Sequence, residues 1–162
     1  MFASRCELLI SVTSSGQIAQ VSTPPYFVLI EQALRDEGTS YHYLPPSRYS
    51  AAPRHLIERL QGAFEDLGEP VLQGPTWTTD APFRETYEAI EAMRAEGLLA
   101  VEMEAAALYA FAEARRKSVI CFAHVTNQMG QIEGDFEKGA ENGAAEALRI
   151  VARTARRLGY RN

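Results

Sequence analysis

The sequence predicts an α/β fold in three layers, a central mixed and largely parallel sheet flanked by helices. Two observations carry that prediction. Through the second half of the chain, β-prone apolar runs alternate with helix-spaced segments, the pattern of strands joined by helical crossovers. Four apolar runs also end in polar clusters, at residues 13–16, 76–80, 102–104 and 126–127. In open α/β sheets, ligands gather at the carboxyl ends of strands.

The elements follow in order. "CELLISVTSSGQI" reads as a strand feeding a Ser/Thr/Gly turn. After the Pro24-Pro25 boundary, "YFVLIEQAL" fits either a strand or a short helix, and "DEGTSYHYLPP" is a loop closed by two prolines. "PRHLIERLQGAFEDLG" places Leu56, Leu60, Phe64 and Leu67 at helical spacing, with Pro53 near the start and Gly68 near the stop. "PVLQGPTWTTDAPF" is a short strand ending in a polar turn. "RETYEAIEAMRAEG" is a helix with Tyr87, Ile90 and Met93 inward, stopped by Gly97. "LLAVEME" is a short strand running into the alanine-rich helix "AAALYAFAEARR", and "SVICFAHVTN" is a strand bounded by Asn127. The Gly-rich "QMGQIEGDFEKGAENG" is a loop. From Ala144 the spacing Leu148, Val151, Ala155, Leu158 predicts a terminal helix.

A length of 162 residues, taken as a single domain over 1–162, suits one hydrophobic core. Composition is that of a globular chain, 46% hydrophobic and 23% charged. The net charge of −5 argues against retention on nucleic acid by bulk electrostatics. No run approaches the roughly 18 apolar residues of a membrane span. The N-terminus makes a poor signal peptide. Cys6 and Cys121 sit in apolar runs without metal-ligand spacing and read as buried reduced thiols, so the expected compartment is the cytoplasm. His42, His55 and His124 are too scattered for a metal site; His55 sits on a surface helix and His124 inside an apolar run.

The chemistry-bearing stretch is "GLLAVEMEAAALYAFA", where Glu102, Met103 and Glu104 interrupt an apolar pattern. Carboxylates are rarely buried unless paired. Glu104, where strand yields to helix, has two readings. It is a helix N-terminal carboxylate stabilised by about 0.3–1 kcal/mol. Or it accepts hydrogen bonds from a vicinal diol, its two oxygens matching two sugar hydroxyls, with Met103 on the sugar's apolar face.

"VEMEAAALYAFA" resembles the ribose-binding signature of the purine nucleoside and uridine phosphorylase superfamily. "TWTTDAPFRET" resembles the segment flanking the base in the same family, and "CFAHVTN" follows in the expected order. The resemblance implies a nucleoside-phosphorylase-like fold and cleavage of a ribonucleoside's N-glycosidic bond. Inorganic phosphate is the co-substrate and no cofactor or metal is needed. It implies ribose contacts by Met103 and Glu104, with Glu102 beside them. Phe83, or Pro82 beside it, falls near the aromatic position that stacks on the base, and Trp77 is a nearby alternative. Arg84 matches the arginine of the Gln-x-Arg pair in uridine-cleaving members, although Pro82 stands two residues before it. Asn127 falls where purine-cleaving members place a proton-donating Asp, but an amide binds a base without supplying a proton. In the phosphate loop, "SVTSSG" keeps Ser14 and Gly16, while Ser11 replaces an arginine and Thr13 a glycine. The family's N-terminal portion, with a second phosphate loop, is expected to be missing. His42 lies in a loop like one near the active site and a subunit contact of uridine-phosphorylase-like members. Members are homo-oligomers, and self-association is expected here. The alternative expectation is an impaired nucleoside-binding or scaffold protein, or a truncated fragment.

Overall fold

A computed structural model describes residues 2–129 and 143–160. The strands are β1 (Leu8–Gln17), β2 (Tyr26–Asp36), β3 (Tyr49–Ala51), β4 (Val71–Thr79), β5 (Ala100–Glu102) and β6 (Ser118–Asn127). The helices are α1 (Arg54–Leu60), α2 (Tyr87–Ala95), α3 (Ala105–Arg115) and α4 (Ala144–Arg157). Short 3-10 turns occupy Phe2–Ser4, Ser40–His42 and Pro82–Arg84.

The sheet runs in the order β3-β2-β4-β5-β1-β6, and β6 returns to pair with β2. This corrects the three-layer, largely parallel expectation. Strands β2, β4, β5, β1 and β6 close into a small barrel from which β3 extends. The pairs β1–β6, β2–β4 and β4–β5 are parallel, while β1–β5, β2–β3 and β2–β6 are antiparallel. Closure depends on β2. It pairs with β4 along its length and joins Tyr26 to Leu29 with residues 122–125 of β6. Closing a sheet removes its edges, and β6 is accordingly buried on both faces from Val119 to Thr126.

Local sequence explains most boundaries. "YFVLIEQAL" is strand, consistent with its apolar run and its burial on both faces. Pro75 is tolerated inside β4 because it sits where the β2–β4 register shifts between Ile30 and Gln32. The Thr13-Ser14-Ser15-Gly16 segment continues β1 rather than turning, since parallel pairing with β6 carries through to Gly16 with a bulge at Ser15/Gly16. α1 stops at Leu60, not near Gly68. Gly62 adopts φ +67°, and turns follow in which Phe64 is still buried. Thr86 caps α2, its hydroxyl accepting the Ala89 N–H at 3.3 Å, and Gly97 at φ +81° ends the turn beyond it.

Two inward assignments change. Tyr87 is 73% exposed, leaving Ile90 as the buried residue of α2. Leu148 is exposed, and the buried residues of α4 are Ile150 and Thr154, with Leu158 buried as expected just beyond its end. Cys6 is half-buried and Cys121 buried, both unpaired. The loop expected from Gln128 lies outside the described residues beyond Met129.

α3 packs across the sheet. Its buried Tyr109 hydroxyl donates to the Ile30 carbonyl at 2.6 Å and accepts the Cys121 N–H at 3.0 Å. That Ile30 carbonyl lies at the β2 bulge, where the ladder is interrupted. Placing α3 this way sets its N-terminus at the ends of β1, β5 and β6.

Candidate active site

Strand β5 delivers Glu102 and Glu104 to opposite fates. Glu102 is 2% exposed. Its Oε1 accepts from the Thr78 hydroxyl at 2.5 Å and the Thr76 hydroxyl at 3.2 Å. Its Oε2 accepts the N–H groups of Glu104 and Ala105, each at 2.7 Å. Those amides open α3 and have no intrahelical acceptor. Glu102 is therefore the cap of α3. Burial pushes its carboxyl above the ordinary range, against the opposing pull of these donors. The expectation that Glu102 contacts ribose is corrected, because both oxygens are engaged inside the protein and shielded from solvent.

With Glu102 capping the helix, Glu104 is released from that task. It occupies the N-cap position without a capping bond of its own, and its side chain is exposed. Its Oε2 accepts the Thr13 hydroxyl at 2.6 Å and the Met103 N–H at 3.2 Å. Met103 is 47% exposed beside it. Thr13 and Glu104 lie 91 residues apart, joined by the convergence of β1 and β5.

The next hydroxyls belong to β1 and β6. Ser14 Oγ and Thr126 Oγ1 are 3.2 Å apart. Asn127 Nδ2 reaches Thr126 Oγ1 at 3.5 Å, while its Oδ1 accepts the Met129 N–H at 3.0 Å. Gly16 pairs with Asn127 across the β1–β6 ladder. Glu104, Met103, Thr13, Ser14, Gly16, Thr126 and Asn127 thus collect at one end of three strands. The hydrogen bonds joining this cluster involve no cationic side chain among the described residues. Ser11, at the arginine position, sits mid-strand opposite Cys121.

The residues assigned to the base divide. Phe83 is 87% exposed on the Pro82–Arg84 turn. Trp77 is corrected to a core residue. Adjacent strand residues face opposite ways, so Trp77 points away from the face where Thr76 and Thr78 hold Glu102. It is 2% exposed and packs with Ile18, Leu34, Ile90, Leu98 and Val101. Its Nε1–H donates to Asp36 Oδ2 at 3.0 Å, and Arg84 holds Oδ1 of the same carboxylate at 3.1 Å. Arg84 thereby fastens the 3-10 turn to the end of β2.

His42 is exposed at the end of its 3-10 turn, in a loop built around Arg35. The buried Arg35 guanidinium donates to Ser40, Ser47 and the Leu44 and Pro45 carbonyls, and lies 4.3 Å from the Tyr41 ring centre. His124 stacks on Phe27 at 4.3 Å within the core. Among the described residues no three His, Cys, Asp or Glu side chains are grouped to hold a metal ion, and no helix is long and apolar enough to cross a membrane.

Sequence reasoning missed two things here. Glu102 and Glu104 cannot be told apart by pattern, since both flank Met103. Met129 stood in what reads as a Gly-rich loop, with no signal to single it out.

The chain is 35% identical over 118 residues to a guanosine phosphorylase of Halorubrum lacusprofundi, a match spanning 72% of this chain and 46% of the relative's length. The chain therefore spans less than half of that relative. The crystal structure of an AMP nucleosidase from Bacteroides thetaiotaomicron superposes with a TM-score of 0.78 at 20% identity, covering 97% of this chain and 65% of that one. That likeness shows the shared fold. Residues 1–156 match the phosphorylase superfamily, and the chain belongs to that family.

Proposed function

We propose that the chain binds a ribonucleoside and cleaves its N-glycosidic bond with phosphate, a pentosyl transfer. The observation that carries this reading is the Glu104 carboxylate, freed from capping by Glu102 and aimed with the Thr13 hydroxyl at the strand ends. Its oxygens accept the paired ribose hydroxyls and Met103 covers the sugar's apolar face. Phe83 and Arg84, on the exposed turn after β4, border the base. As C1′ gains oxocarbenium character, catalysis is positioning and charge stabilisation. Asn127 donates a hydrogen bond to the departing base but holds no proton to give it. Phosphate meets Ser14 and Gly16 at the end of β1. The names of the similar proteins, a guanosine phosphorylase and an AMP nucleosidase, favour a purine base. The reading carries with it a cytoplasmic homo-oligomer, in keeping with two unpaired thiols, and His42 belongs to its active-site loop.

A second reading, an impaired nucleoside-binding protein, is favoured by a hydrogen-bonded cluster that, among the described residues, is joined by neutral donors. Neutral donors recover only part of what a bidentate arginine gives a phosphate dianion. Base release from guanosine, adenosine and uridine, with and without phosphate, separates the two. The first reading expects phosphate-dependent release that is slow and does not saturate at modest phosphate. Nucleoside binding with no release selects the second, and no binding of any nucleoside refutes both.

A further inference from the structure

The end of β1 carries a notch that the molecule fills with its own side chain. Gly16 has no Cβ; one placed there would lie 1.9 Å from Met129 Sδ, 3.1 Å from its Cγ and 3.2 Å from Asn127 Oδ1. The thioether therefore rests directly on the Gly16 backbone, against the residue that pairs with Asn127 in the ladder. Only glycine permits this approach.

Met129 holds that place under opposing forces. Its backbone has φ +62°, a left-handed conformation that L-residues rarely adopt. Against that, its N–H is fixed by Asn127 Oδ1 at 3.0 Å, and its side chain packs at the rim of the cluster formed by Ile18, Trp77 and Val101. It remains half-exposed. An unbranched thioether with three rotatable bonds leaves such a seat more readily than a branched or aromatic side chain.

We propose that Met129 is a specificity-determining residue on the base side of the cleft, its thioether occupying space that a nucleobase beside Asn127 must take. The proposal rests on the nucleoside reading above. A planar ring approaching Asn127 displaces Sδ from its seat and uncovers the Gly16 backbone, which the nucleoside reading gives to phosphate, and the apparent affinity is lowered by the fraction of molecules in which the seat is filled. A bicyclic base needs more of the space beside Asn127 than a monocyclic one, so Met129 bears harder on purines than on pyrimidines.

The test is calorimetric titration of the full chain and its Met129→Ala and Met129→Leu forms with guanosine and with uridine. Met129→Ala is expected to bind guanosine about 3- to 10-fold more tightly, with a smaller gain for uridine. Met129→Leu, which refills the notch with a branched side chain, is expected to bind guanosine no more tightly than the unaltered protein. Equal or weaker guanosine binding by Met129→Ala overturns the proposal and leaves the nucleoside reading standing. Failure of all three to bind either nucleoside overturns both. Should a variant fold poorly, the ¹³C-methyl signal of Met129 in the unaltered chain decides. It must shift on saturation with guanosine, and an unmoved signal overturns the proposal.

Discussion

Replacing Glu102 tests whether it is a structural cap rather than a ligand contact. In Glu102→Ala the amides of Glu104 and Ala105 lose their acceptor in a site where the side chain was 2% exposed. An orphaned buried donor costs about 1–3 kcal/mol, so the pair amounts to about 4 kcal/mol. The Thr76 and Thr78 hydroxyls can rotate, and relief from burying a carboxylate returns about 1 kcal/mol, leaving a net loss of about 3 kcal/mol. For a chain of this length that is a fall of roughly 6–12 °C in Tm. Glu102→Gln keeps an oxygen for the two amides and turns its NH₂ toward the threonine oxygens, so it should lose about 1 kcal/mol. Thermal unfolding followed by circular dichroism measures all three. If Glu102→Ala melts within 2 °C of the unaltered protein, or Glu102→Gln falls as far as the alanine form, the capping argument is wrong.

Other consequences can be checked alongside. Burial raises the Glu102 carboxyl, so the folded form keeps a proton that the unfolded chain has released. Stability should therefore fall as pH rises from the ordinary carboxylate range through the raised value, then level off, and this slope should vanish from denaturant titrations of Glu102→Gln. Tyr109→Phe strands the Ile30 carbonyl and the Cys121 N–H in the core and should cost about 2–4 kcal/mol by the same titrations. Thr13→Val removes the 2.6 Å bond to Glu104 at the surface. It should weaken nucleoside binding about 5-fold in calorimetry while leaving Tm unchanged.

Much of the fold was legible because local pattern and burial agree. β6 was bounded by Asn127 from sequence because its apolar run is buried on both faces. α3 was visible because its alanines allow close approach to the sheet. Barrel closure was not legible: it depends on Tyr26 to Leu29 meeting residues 122–125, a pairing across most of the chain that no local spacing encodes. The faces of α2 and α4 were misjudged at Tyr87 and Leu148, where an apolar residue at helical spacing lies beyond the reach of the core. At the site, the pattern located the Glu-Met-Glu cluster but gave no way to divide its labour. The division follows from Thr78 standing opposite Glu102 on β4, with Thr76 two residues before it on the same face. Trp77 was misread for a related reason, since strand alternation sends it to the opposite face.

The central claim is that Glu104 holds a ribose, and its most direct test is calorimetry of Glu104→Gln with guanosine and with free guanine. Losing the carboxylate's charge-assisted bonds to the sugar hydroxyls should weaken guanosine binding by about 1.5–3 kcal/mol, roughly 10- to 150-fold, with guanine affinity unchanged. Equal guanosine affinity in the two proteins, or a parallel loss for guanine, would contradict the assignment.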